Sequence, residues 1–107
     1  MIDAIEVTTT VPSKEDAAAI AQSLVAEHLA ACVQVLGPIT STYRWKGEIE
    51  TAEEWQCRAK TARRLCDKIQ AAIRRLHRYE LPEILVTEVL AADDDYLAWL
   101  HAELDES

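Results

Sequence analysis

Lys46-Gly47 divides two runs of strand-forming residues, Cys32 to Trp45 and Glu48 to Thr61, each about 14 residues long. An ordinary strand has roughly 5 to 6 residues, so at about 3.3 Å per residue a hairpin with such arms outgrows the sheet of a small domain. Gly47 supplies a residue tolerant of positive φ where the chain must reverse. Gly37-Pro38 interrupts the first arm, which is expected to be one long strand carrying a bend or bulge. On the return arm Trp55, Cys57 and Ala59 share one face while Glu54, Gln56, Arg58 and Lys60 share the other, a half-exposed alternation. The distal part of this hairpin needs a partner.

The flanking segments place the hairpin in an ordered series. Ile5 to Val11 is rich in β-branched residues and predicts a strand covered on both faces. Pro12-Ser13 ends it, and the Ser13 hydroxyl can cap a helix whose first turn carries Glu15 and Asp16. Ala17, Ile20, Ala21, Leu24, Val25 and His28 then recur at the spacing of one helical face, predicting a helix to about Leu29 that lies on a sheet. Thr61 is the expected cap of a second helix, whose stripe is Leu65, Ile69, Ala72, Ile73 and Leu76. Arg63, Arg64, Lys68, Arg74 and Arg75 gather on its opposite, solvated side. A strand from Glu83 to Leu90 follows Pro82, and Asp93-Asp94-Asp95 opens a last helix with Tyr96, Trp99, Leu100 and Leu104 at helical spacing. The order β, α, β, β, α, β and a terminal helix is that of an α+β, ferredoxin-like βαββαβ sandwich in a single domain, residues 1–107.

Composition excludes several function classes. The longest apolar stretch, Ala17 to Leu36, is broken by Gln22, Glu27 and His28, so no segment approaches the roughly 20 apolar residues that a bilayer requires. The first six residues lack the basic start and apolar stretch of an export signal, and a cytoplasmic location is expected. Cys32, Cys57 and Cys66 are odd in number and form no C-x-x-C pair, against both a disulfide framework and a zinc ribbon. The net charge of −8 disfavours nucleic acid, and with no Phe in the chain the aromatic platform of an RNA-recognition module is missing. There is no nucleophile elbow, no G-x-x-x-x-G-K and no H-E-x-x-H, and only Gly37 and Gly47 are available for a phosphate loop, so no enzyme is expected.

Thr40-Ser41-Thr42-Tyr43-Arg44-Trp45-Lys46-Gly47-Glu48-Ile49-Glu50 and His77-Arg78-Tyr79-Glu80-Leu81-Pro82-Glu83-Ile84 resemble the two signature segments of the divalent-cation tolerance protein CutA family. The resemblance continues through Thr8 to Pro12, Leu29 to Val33, Glu54 with Lys60-Thr61, and Asp95 to Trp99, and so spans nearly the whole chain. It implies a homotrimer in which the long hairpin packs against neighbouring subunits, and a role in the response to or tolerance of divalent metal ions.

Two sets of side chains are candidates for chemistry. His77 offers an imidazole nitrogen and Cys32 a soft thiolate, together suited to copper or another divalent metal; the structural alternatives are a helix C-terminal histidine and a small buried hydrophobe. Cys57 and Cys66 are expected to pack. The resemblance also implies a fuller metal set in some relatives, with a cysteine where this chain has Thr9 and a His-His-Pro where it has Leu76-His77-Arg78. With only Cys32 and His77 retained, a four-coordinate site needs water or a neighbouring subunit. In the second set Lys60, Tyr79, Glu83 and Tyr43 offer a cation, two phenols and a carboxylate for a small polar ligand between subunits, in the manner of the similarly folded PII signalling proteins. The alternative for these four is ion pairing and packing.

Overall fold

The computed structural model describes residues 2–106; Met1 and Ser107, the ends of the expected domain and leader reading, lie outside it. The elements are β1 (Ala4–Val11), α1 (Lys14–Ala26), β2 (Cys32–Trp45), β3 (Glu48–Ala62), a 3-10 turn at Arg63–Leu65, α2 (Cys66–Leu76), β4 (Ile84–Glu88) and α3 (Asp94–Ala102). The strands form one sheet in the order β2-β3-β1-β4, antiparallel throughout, which is the ferredoxin-like arrangement. Among the described residues no helix is long and apolar enough to cross a membrane.

Local chemistry accounts for most of the boundaries. Ser13 accepts the Asp16 amide on its Oγ at 3.1 Å, the cap expected for α1. α1 ends at Ala26, not near Leu29, because His28 turns into the left-handed region at φ 59. The His28 amide then bonds the Val25 carbonyl and the Leu29 amide the Leu24 carbonyl, a Schellman closure without its usual glycine. Thr61 does not cap α2. Its buried hydroxyl donates to the Leu29 carbonyl at 2.7 Å, and the chain enters α2 through the 3-10 turn instead. β4 is shorter than expected, leaving Glu83 in the preceding loop and Leu90 95% exposed.

Ile5, Val7 and Val11 of β1, Ala17, Ile20 and Leu24 of α1, Cys57 and Ala59 of β3, and Leu65, Ile69 and Ile73 around α2 form the core, closed at one end by Leu100 and Leu104. Tyr96 and Trp99 depart from the expected α3 stripe: both stay well exposed, their rings 5.5 Å apart. The basic residues around α2 are largely paired with acids, Arg63 with Glu88 at 2.9 Å, Arg75 with Glu27 at 3.3 Å and Arg78 with Asp16 at 2.8 Å.

The core stops where β1 stops. Val11, the last β1 residue in the ladder, faces Trp55, and beyond that rung β2 and β3 pair only with each other, from Ile39 opposite Glu54 to Trp45 opposite Glu48. At about 3.3 Å per residue this part of the hairpin projects on the order of 20 Å, which accounts for a long dimension of 45 Å against 25 and 22 Å. The register shifts between Leu36 and Ile39, around the cis Gly37-Pro38 bond, where the bulge was expected. Lys46 and Gly47 take φ 50 and 83, the pair of positive values that a two-residue type I′ turn requires.

Candidate functional site

The chain leaves α2 in an extended conformation at His77, with φ −81 and ψ 143, so successive side chains alternate in direction. His77 Nε2 donates to the Thr10 carbonyl at 2.8 Å, and its Nδ1 accepts the Tyr79 amide at 3.1 Å. Arg78 reaches the other way to Asp16, and this guanidinium is the main cause that holds the Asp16 carboxyl below the usual carboxylate range. Tyr79 stacks at 4.9 Å from the His77 ring and donates its phenol to Glu54 Oε2 at 2.8 Å. Burial and then the Glu54 carboxylate push the Tyr79 phenol well above its ordinary range, so it remains a donor at neutral pH.

Between this segment and the projecting hairpin lies a cleft of about 470 Å³ lined by Tyr43, Trp45, Glu54, Tyr79, Glu80 and Glu83, among others. A volume in the ~300–1,000 Å³ range and a lining of aromatic rings with a few convergent polar groups are the marks of a small-molecule site. Of the expected ligand set, Tyr43, Tyr79 and Glu83 meet here. Lys60 does not. It belongs to the opposite end of β3, where it donates to Gln34 Oε1 at 2.6 Å, sits 4.0 Å from Glu6 and lines a separate cavity of about 240 Å³ with Tyr96 and Leu100.

Nor does one chain bring Cys32 and His77 together. Cys32 starts β2 opposite Lys60, on the rung that continues to Glu6, whereas His77 bonds Thr10, four residues farther along β1. That offset alone is about 13 Å. Both His77 nitrogens are already engaged, and among the described residues no group of three or more His, Cys, Asp or Glu side chains is arranged to hold a metal ion. The described residues of a single chain therefore offer no closed set of metal ligands. Cys57 packs as expected, its thiol within 3.6 Å of the Ala17 carbonyl and pushed up to about 11 by burial; Cys66, half-buried, accepts from Gln70.

Glu54 and Trp45 are among the cleft residues that sequence reasoning missed. Strand alternation put Glu54 on a half-exposed face, yet it is 6% exposed, because the segment after α2 folds over it. Its place among the quoted signature positions was the available signal. Trp45 reads by residue type as a packing side chain, but within the chain it stands exposed at the cleft.

A ferredoxin-like sheet with an overlong hairpin at one edge, and an aromatic and acidic cleft beside that hairpin, define a class of small α+β proteins. Residues 5–103 match the family model described as CutA1 divalent ion tolerance protein, and the chain belongs to that family. A divalent-cation tolerance protein CutA of Thermus thermophilus is 40% identical over 94 residues, covering 88% of this chain and 91% of its own length. The rice protein CutA 1, chloroplastic, is 34% identical over 99% of this chain, which spans 60% of the rice protein. The crystal structure of CutA from Xylella fastidiosa superposes with a TM-score of 0.94 at 38% identity, covering 97% of this chain and all of that one.

Proposed function

We propose that this protein contributes to tolerance of divalent metal ions as a cytoplasmic, non-enzymatic homotrimer that senses a small polar ligand in the cleft beside its hairpin. The observation that carries this reading is the convergence of Tyr43, Tyr79 and Glu83 on one cavity, where the described residues form no closed metal-ligand set. Assembly is supported by Val35, Leu36, Tyr43, Trp45 and Ile49, large apolar side chains exposed along a hairpin whose distal half pairs with no other strand among the described residues. Neighbouring copies would bury Val35, Leu36 and Ile49 and would border the cleft at Tyr43 and Trp45. Three unpaired cysteines suit a reducing compartment.

Growth of cells lacking their own family member tests the role directly. Restored tolerance to raised copper or zinc by the wild-type chain, and its loss with Tyr43→Ala and Glu83→Gln, is the expected result; full rescue by the cleft variants would sink the sensing reading. Direct copper binding is the other reading, favoured by the half-exposed Cys32 thiol. It requires saturable Cu(I) uptake by the reduced, metal-free protein, near one ion per chain, that disappears in the Cys32→Ser, His77→Ala double variant.

A further inference from the structure

We propose that the cleft takes a small organic cation, an amine or quaternary ammonium held between the Glu54 carboxylate and the rings of Tyr43, Trp45 and Tyr79. This rests on reading the cleft as a ligand site and names the chemistry of what enters it. Glu54 lines the cleft at 6% exposure, and its one hydrogen bond, to Oε2, comes from a neutral phenol. Among the described residues Oε1 has no hydrogen-bond partner and no Lys, Arg or His forms an ion pair with Glu54. Little of the Glu54 carboxylate reaches water, so a cation supplied in the cleft offsets the cost of holding that charge there.

The two basic side chains beside Tyr79 are committed elsewhere. Arg78 is held by Asp16 at 2.8 Å, and the His77 ring is engaged on both nitrogens. Glu80 and Glu83 add negative charge to the lining, to which no Lys or Arg contributes. An anionic ligand would meet three carboxylates in the lining, and the Lys46 ammonium, outside that lining, is taken up over the Trp45 ring. A bare metal ion would lack a three-donor group. An organic ammonium matches both halves of the lining, since aromatic faces attract such cations and a carboxylate pairs with them. Trp45 already displays this affinity: the Lys46 ammonium lies 5.8 Å from its ring centroid.

The experiment is calorimetric titration of the assembled protein with choline, putrescine, the uncharged carbon isostere of choline, and citrate, with Trp45 fluorescence read in parallel. At least one of the two cations should saturate, with the uncharged isostere roughly tenfold weaker or worse. Glu54→Gln and Trp45→Leu should each weaken the cation by about tenfold. Trp45→Leu alters an exposed side chain and keeps the test decisive if Glu54→Gln does not fold. Citrate or the uncharged isostere binding as tightly as the cations overturns the cation assignment and leaves the cleft reading standing. Silence from all four probes overturns both.

Discussion

Tyr79 donates its phenol to the buried carboxylate of Glu54 across 2.8 Å, tying the segment that follows α2 to the middle of β3. One side of the cleft is thereby fixed to the sheet from which the hairpin projects.

Tyr79→Phe keeps the ring against His77 and removes only this donor. Glu54 then stays buried with no hydrogen bond, and the expected loss is about 1–3 kcal/mol in urea denaturation at neutral pH. The pH dependence has a definite sign. The folded-state pKa of Tyr79 lies above the ordinary value of about 10, so its contribution is complete below pH ~10 and is lost as pH rises toward the folded value. The advantage of wild type over Tyr79→Phe should shrink above pH ~10; an advantage that grows there would contradict the assignment.

A Cβ added at Gly37 would sit 2.6 Å from Cε3 of Trp55, inside contact distance. Gly37→Ala should cost roughly 1–3 kcal/mol in thermal or chemical unfolding, through displacement of the indole. At Gly47 nothing lies within 4 Å, and the φ of 83 is the obstacle; Gly47→Ala should cost about 1 kcal/mol by backbone strain alone. Combining Gly37→Ala with Trp55→Leu should recover part of the first loss and none of the second.

Ile49 is 69% exposed on the distal hairpin. Ile49→Glu leaves the core untouched, so a single chain should fold, but sedimentation at micromolar concentration should show monomer, against the trimer proposed for the wild type. A wild-type protein that sediments as a folded monomer would remove the reason proposed for the hairpin's length.

Cys57 is 1% exposed and its thiol is pushed up to about 11 by burial. Alkylation near pH 8 should leave Cys57 unmodified in the folded protein and label it quickly in denaturant, as followed by peptide mass spectrometry. Rapid native-state labelling at Cys57 would mean that the contact between α1 and β3 opens readily.

The α+β order, the long hairpin, its bulge and the Ser13 cap were legible because each rests on neighbours in sequence: a period, a Gly-Pro interruption, a hydroxyl three residues before an amide. The misplaced roles of Thr61 and Glu54 depend on distant segments. Thr61 bonds a carbonyl 32 residues away, and Glu54 is covered by Tyr79, 25 residues on, which strand alternation cannot express. The candidate site was legible in the same measure. Tyr43, Tyr79 and Glu83 converge, while Lys60 and Cys32 share a rung at the other end of the sheet, a separation set by register.

The distal hairpin has no core of its own, and that bears on the timescale of its motions. In a lone chain the amides between Ile39 and Trp45 are held by ladder bonds open to water, whereas those of β1 lie in a strand bonded on both sides. Protection against hydrogen exchange is set by the opening free energy of each segment, which is low where few apolar contacts support the ladder. The tip of the hairpin should therefore trade its amide protons long before β1 does when copies are dilute, and hold them when copies are abundant, making its exchange rate a gauge of how much of this protein is present.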